Sequence, residues 1–444
     1  MSSNWITNRL EKASPTTFSV YCIVAAFGAY FCMYAFRKPF TAATYEGMQQ
    51  FEISLKTVLV TSQVFGYMVS KFLGIKVISE MPPHRRTLAF IAMMAVAEGA
   101  LLLYAIVPLP LKFVCLFLNG LPLGMIFGLV LSYLEGRRVT EALNAGLCAS
   151  FILSSGVVKT VALRLMEGVN IPGYGTVAFS PFWMPFVEGL IFSLPLFFFV
   201  WMLRQIPPPH AEDIAQRSER RPMTRSDRWD FFQLYAFGLT CMIVTYILLT
   251  IVRSIRDDFA TEIWIGLGEL DNPDVFAHSE FWVMIGVTAV NGAAIFIRNN
   301  RTAFRTAVIT MIGGFLLTCL SVVAYQRGLL GGFSFMVISG MGMYVPYVAF
   351  HTTLFERMIA VFRAKSNLGY LMYLADATGY LGYVIVMLAR NSPWLKVDHL
   401  KLYLVTSVWI SLASLACMIA SLYYFERRMI EPTAVEPEPE PATV

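Results

Sequence analysis

Arg37 lies in Tyr34-Ala35-Phe36-Arg37-Lys38-Pro39-Phe40, near the far end of the first long apolar run. A guanidinium at bilayer depth is costly, so an arginine kept there marks a candidate functional site. Arg253 and Arg256 fall at the matching point of the second half, followed directly by Asp257 and Asp258. Guanidinium presents a planar donor fork that fits phosphate or carboxylate oxygens two at a time, more strongly than neutral hydrogen bonds. Two such forks, one from each half, can hold a single tetrahedral dianion. Snorkelling is the competing reading of Arg37 and Lys38, their long stems lifting the charges to the outer interface. It would put a basic pair on the side where such pairs are depleted. For Arg256 the competing reading is a local arginine–aspartate cluster capping the helix. Arg253, one turn deeper, is the expected partner of Arg37.

Other ionisable residues share these runs. Lys71 has Gln63 on a similar helical face and either faces a cavity or snorkels. Lys159 can face the same cavity, whereas Arg164 falls near the outer end of its span. Glu98 and Asp376 are isolated carboxylates, each a proton carrier or the counter-ion of a nearby cation. His351 can carry a proton near neutral pH or serve as a packing histidine. Tyr34, Tyr67, Tyr344, Tyr347, Tyr370 and Tyr373 offer hydroxyls to a cavity, with packing as the alternative.

The elements that must position these groups are membrane helices. The chain has 444 residues, is 57% hydrophobic and 14% charged, and has a mean hydropathy of +0.61. A soluble chain carries about 25% charged residues. Twelve apolar stretches are long enough to span a bilayer, near residues 17–44, 55–78, 87–107, 111–134, 142–165, 182–203, 229–256, 279–298, 303–325, 331–355, 366–389 and 401–425. The N-terminus, even-numbered loops and C-terminus hold 21 lysines and arginines, against 6 in the odd-numbered loops. Both termini are therefore expected to be cytoplasmic, in a cell (inner) membrane. The net charge of +5 reflects this topology and gives no argument for nucleic-acid binding. The seven cysteines lie within apolar runs and read as packing residues. No cleaved signal peptide is expected.

Residues 204–228, rich in Pro, Arg and acidic side chains, divide six spans from six. The expected organisation is all-α: a bundle over 1–203, a cytoplasmic linker, a second bundle over 229–428, and an extended, disordered tail over 429–444. The halves repeat. Asn119-Gly120 through Leu134-Glu135-Gly136-Arg137 parallels Ser339-Gly340 through Leu354-Phe355-Glu356-Arg357, with the glycines 220 residues apart. Asn144 and Gly146 parallel Asn367 and Gly369 at 223 residues. Parallel six-span repeats with a site at their interface recur in transporters. There is no Walker-type loop, zinc-protease motif or recognisable catalytic Ser or Cys. The sequence therefore argues against an enzyme or ATP-driven pump, and no cofactor or metal is expected. The expected partners are the bilayer and a small anionic substrate, for a protein acting as a monomer.

Twelve spans around a long central loop resemble the major facilitator superfamily. Tyr34 to Phe40 resembles the first-helix motif of the organophosphate:phosphate antiporters. Ser70-Lys71-Phe72 resembles their second-helix segment, and Ile251-Val252-Arg253 with Asp258 their seventh-helix arginine and aspartate. Tyr344-Val345-Pro346 with His351, and Gly379-Tyr380-Leu381-Gly382, are similar to stretches of helices 10 and 11. The resemblance implies that Arg37 and Arg253 bind a phosphoryl group and that Lys38 and Lys71 add positive potential. It also implies alternating access, with phosphate returning as organophosphate moves the other way. The family's fifth-helix histidine has no counterpart in Cys148 to Gly156, where Lys159 is the candidate substitute. The Phe-Arg-Lys-Pro-Phe segment also resembles an uncharacterised bacterial membrane family.

Three functions follow as expectations. The first is a carrier of a small, phosphorylated anion in exchange for phosphate, binding through Arg37, Lys38, Lys71, Arg253, Lys159 and Tyr34. The second is a proton-coupled symporter of a carboxylate or sugar acid, using Asp376, His351 or Glu98. The third is a non-transporting membrane sensor on the same fold.

Overall fold

The computed structural model describes residues 5–79, 81–134, 140–173, 175–208, 225–362, 368–390 and 398–430. Most of the expected linker, the tail from Glu431, Glu135-Gly136-Arg137, Asn367 and the side chains of Tyr370 and Tyr373 lie outside the described set.

Among the described residues, twelve long helices match the twelve expected spans. In the first half these are α1 (Pro15–Met33), α2 (Leu55–Ser79), α3 (Pro83–Ile106), α4 (Lys112–Leu134), α5 (Thr140–Glu167) and α6 (Met184–Arg204). In the second they are α7 (Ala236–Asp258), α8 (Asp274–Ala293), α9 (Asn300–Gln326), α10 (Gly332–Ala349), α11 (Leu368–Arg390) and α12 (His399–Ile430). Short helices Trp5–Glu11, Arg225–Leu234 and Ala260–Leu267 flank them. Two small hairpins close the α1–α2 and α5–α6 loops, one pairing β1 (Gln49–Gln50) with β2 (Ile53–Ser54), the other β3 (Val169–Ile171) with β4 (Gly175–Val177).

By length and composition, nine membrane-crossing candidates stand out among the described residues. The long helices outside those nine are α2, α8 and α11, of which α11 contributes the shorter apolar stretch Leu374–Ala389. Helix α2 packs on α11 and α5 on α8, so all three line the boundary between the halves. Their buried faces carry Gln63, Lys71, Glu280, Asn291 and Asp376, while Phe72, Trp282 and Ile385 are exposed on the outer faces. Six positions separate α2 from α8 and α5 from α11, so the two boundary contacts are one contact repeated by the internal symmetry. Most of the remaining helix packing falls within each half, giving two six-helix bundles, with the α10 π-turn also touching α5.

Two local features set up the site. Helix α1 does not run unbroken through residue 44 as its apolar run predicts. It tightens to a 3-10 turn at Tyr34–Phe36, Arg37 leaves helical geometry at φ −112°, and a second 3-10 turn follows at Pro39–Ala42. Pro39 lacks the amide proton a continuing helix would need there. In the second half, α10 widens into a π-turn at Phe350–Leu354 before continuing as Phe355–Phe362. Such turns recur at functional sites, and this one contains His351.

Glycines let α2 and α4 approach closely. A Cβ on Gly66 would lie 2.2 Å from the Phe117 carbonyl oxygen, and one on Gly120 2.2 Å from that of Gln63. Backbone on both sides leaves no room to yield. Gly66→Val is therefore expected to destabilise the protein by about 1–3 kcal/mol, read as a lower melting temperature in detergent. An unchanged melting temperature would show that this crossing is looser than described.

Candidate functional site

The centre of the site is built from tyrosines and two arginines. The Arg37 guanidinium lies 3.9 Å over the Tyr67 ring, 5.8 Å from Tyr34 and 5.9 Å from Tyr380. Arg253, from the other half, lies 4.4 Å over Tyr347 and donates to the Tyr380 hydroxyl at 3.3 Å. Tyr67 and Tyr380, again from opposite halves, meet edge-to-face at 4.8 Å. Both guanidiniums thus converge on Tyr380, and both arginines are buried, at 4% exposure. The Nε of each has no hydrogen-bond partner, and among the described residues neither guanidinium meets a carboxylate. Rings cover their faces, so the free donors lie along their edges, the geometry that serves oxyanions.

Arg253, Lys71, His351 and Asp376 share a cavity with Tyr30, Tyr34, Tyr67, Tyr347, Tyr380, Phe127 and Phe151. In this conformation its free volume is about 10 Å³, room for little more than one water. Arg37 stands just behind this lining, against the Tyr67 and Tyr380 rings.

The sequence expectation gives Lys38, Lys71 and Lys159 to the substrate. The structure places each ammonium on a carboxylate from the opposite half. Lys71 meets Asp376 at 2.8 Å, and Asp376 also accepts from the Tyr246 hydroxyl, with His351 Nε2 at 3.6 Å. Lys38 bridges Asp257 and Asp258, both at 2.5 Å, and Lys159 meets Asp257 at 2.5 Å. Ser155 donates to Asp257 and Tyr383 to Asp258. Beyond them Lys56 meets Glu262 at 2.6 Å. In all these pairs the first half supplies lysine and the second half carboxylate. None of the lysines snorkels, because each ammonium is held inside protein.

The arginine–aspartate cap on α7, the competing reading of Arg256, does not form. Arg256 turns instead to Glu280 at 2.5 Å and the Met336 carbonyl at 3.1 Å, freeing both aspartates for the lysines. Arg164 is half-exposed beside Glu167, Asn272 and Asp274, at the end of its helix as expected. Glu98 is not among the cavity residues. Its carboxylate packs on Gly189 of α6 with neither oxygen hydrogen-bonded. His351 Nδ1 donates to the Tyr347 carbonyl at 2.9 Å, leaving Nε2 toward Tyr246 at 3.3 Å.

Sequence reasoning missed Tyr30, although it lies one helical turn before Tyr34 and so shares its face. It missed the roles of Lys56 and Glu262, whose signal was only a charge in the first turn of each helix. Glu188, fully buried with both oxygens unpartnered, carried no pattern that singled it out.

Two six-helix bundles related by internal symmetry, with a polar site between them, define the major facilitator type of membrane fold. A solved structure bears this out: the crystal structure of a D-xylose–proton symporter aligns with TM-score 0.59 at 14% identity, covering 90% of this chain and 97% of that one. The chain itself belongs to the family of unknown function DUF5690, whose match runs over residues 39–428. No curated protein matches it.

Proposed function

We propose that this protein is a secondary transporter carrying a small anionic, phosphorylated metabolite by alternating access, in exchange for inorganic phosphate. The observation that carries the reading is the pair of unneutralised guanidiniums, one per half, meeting at Tyr380. The lysines that bridge the halves are matched by carboxylates, so the site's surplus is two positive charges. A dianion balances them, and tyrosine hydroxyls supply further donors. Reorienting an empty site would carry two bare charges through a low-dielectric interior, which disfavours return without cargo and favours exchange. The likeness of the Arg37 and Arg253 segments to the organophosphate:phosphate antiporters points the same way. Both chain ends are taken as cytoplasmic, by the loop charges.

Proteoliposomes loaded with phosphate are expected to take up labelled phosphate with no proton gradient imposed. No uptake above protein-free vesicles would contradict the proposal.

Asp376 favours a second reading, because it is the carboxylate among the described cavity residues. A proton-coupled symporter of a carboxylate or sugar acid would use it as the proton carrier. Uptake that collapses with an uncoupler and fails in Asp376→Asn would select this reading over exchange.

A further inference from the structure

Arg37 owes its place to the break in α1, and two buried amides hold that break. Gln63 Nε2 donates to the Arg37 carbonyl at 2.8 Å and to Asn119 Oδ1 at 2.7 Å. Asn119 Nδ2 donates to the Phe36 carbonyl at 3.0 Å and to the Ala97 carbonyl at 3.0 Å. Every amide proton of both side chains is therefore used, and the bonds tie the α1 break to α2, α3 and α4. Gln63 is 2% exposed and Asn119 fully buried. Gly120 beside Asn119 allows the close crossing that brings the amides together.

We propose that Gln63 and Asn119 are positioning residues for the anion site, fixing the backbone at residues 36 and 37 so that the Arg37 guanidinium rests on Tyr67 and Tyr380. A helix continued through residue 37 would turn each successive side chain by about 100° and swing the guanidinium elsewhere. Two carbonyls released by the break, buried and capped only by these amides, resist such slippage because leaving them bare is costly. Arg253 needs no such clamp, since it lies within the continuous helix α7. The inference rests on the reading of Arg37 as an anion ligand.

The test is phosphate binding to purified full-length protein, read from the shift in thermal unfolding with phosphate concentration. Gln63→Met preserves volume and removes both donors. Asn119→Asp preserves volume and the acceptor for Gln63 but loses the donor to Phe36. Each is expected to weaken the phosphate Kd about tenfold or more. Ser62→Ala removes a bond to Phe113 at the same crossing without touching residues 36 or 37. It is expected to leave Kd within about twofold. Combined with Arg37→Lys, Gln63→Met is expected to add nothing, because it acts through that side chain. A purely structural role would add its full cost in both backgrounds. Unchanged Kd in folded Gln63→Met or Asn119→Asp would overturn the assignment, as would an equal loss in Ser62→Ala. If the unaltered protein binds no phosphate, the anion-carrier reading itself fails; if it binds and the clamp variants bind equally, only this inference does.

Discussion

Arg37→Lys and Arg253→Lys are each expected to cut phosphate exchange in proteoliposomes about a hundredfold or more, equivalent to about 2.7 kcal/mol. Lysine keeps the charge, so a loss this large would show that fork geometry matters. The guanidinium faces are already covered by Tyr67 and Tyr347. What lysine removes is the set of in-plane donors at the edge the rings leave uncovered, together with the broad face that stacks on them. A compact ammonium in either place would leave one side of a dianion held by a single contact. Near-normal exchange in both variants would mean that the cargo is recognised elsewhere.

Asp257→Asn is expected to destabilise the protein by about 3–5 kcal/mol. Its carboxylate meets both Lys38 and Lys159, and Ser155 donates to it as well. Lys38 would keep Asp258, but Lys159, 2% exposed, would be left as a buried charge without a carboxylate. The penalty thus arises mainly from the stranded ammonium rather than from the lost attraction. Asp257→Asn combined with Lys159→Met is accordingly expected to recover most of the melting temperature lost by Asp257→Asn alone. A small effect of the single variant, or no recovery in the double, would mean that the lysine finds water or another partner.

Much of the architecture was legible because lipid imposes a strong pattern. Apolar runs of sufficient length located the twelve helices, and the 220-residue recurrence of Gly120 as Gly340 signalled two related halves. Arg37 and Arg253 were readable as a pair for the same reason: charge in such runs is rare. The pairing of the lysines was not readable. Lys38 and Asp258 are 220 residues apart, and nothing local says that they touch. Neighbouring charges in sequence misled in the opposite direction, since Arg256 beside Asp257 looks self-neutralising yet turns to Glu280. The broken α1 was hidden too. Its residues are apolar on both sides of the break, and the groups that hold it, Gln63 and Asn119, come from other helices. Tyr380 could be seen as part of a glycine-flanked segment, but not as the residue on which both arginines converge.

The most direct test is an anion titration of thermal unfolding in the purified protein and in the Arg37→Lys/Arg253→Lys double variant. A ligand held only by the folded state stabilises by mass action, by about 2.7 kcal/mol at a hundredfold excess over Kd. The account predicts that phosphate raises the melting temperature of the unaltered protein in a saturable way, that chloride at equal ionic strength does not, and that the double variant loses the response. An equal phosphate response in the double variant would show that no anion is held between these two guanidiniums.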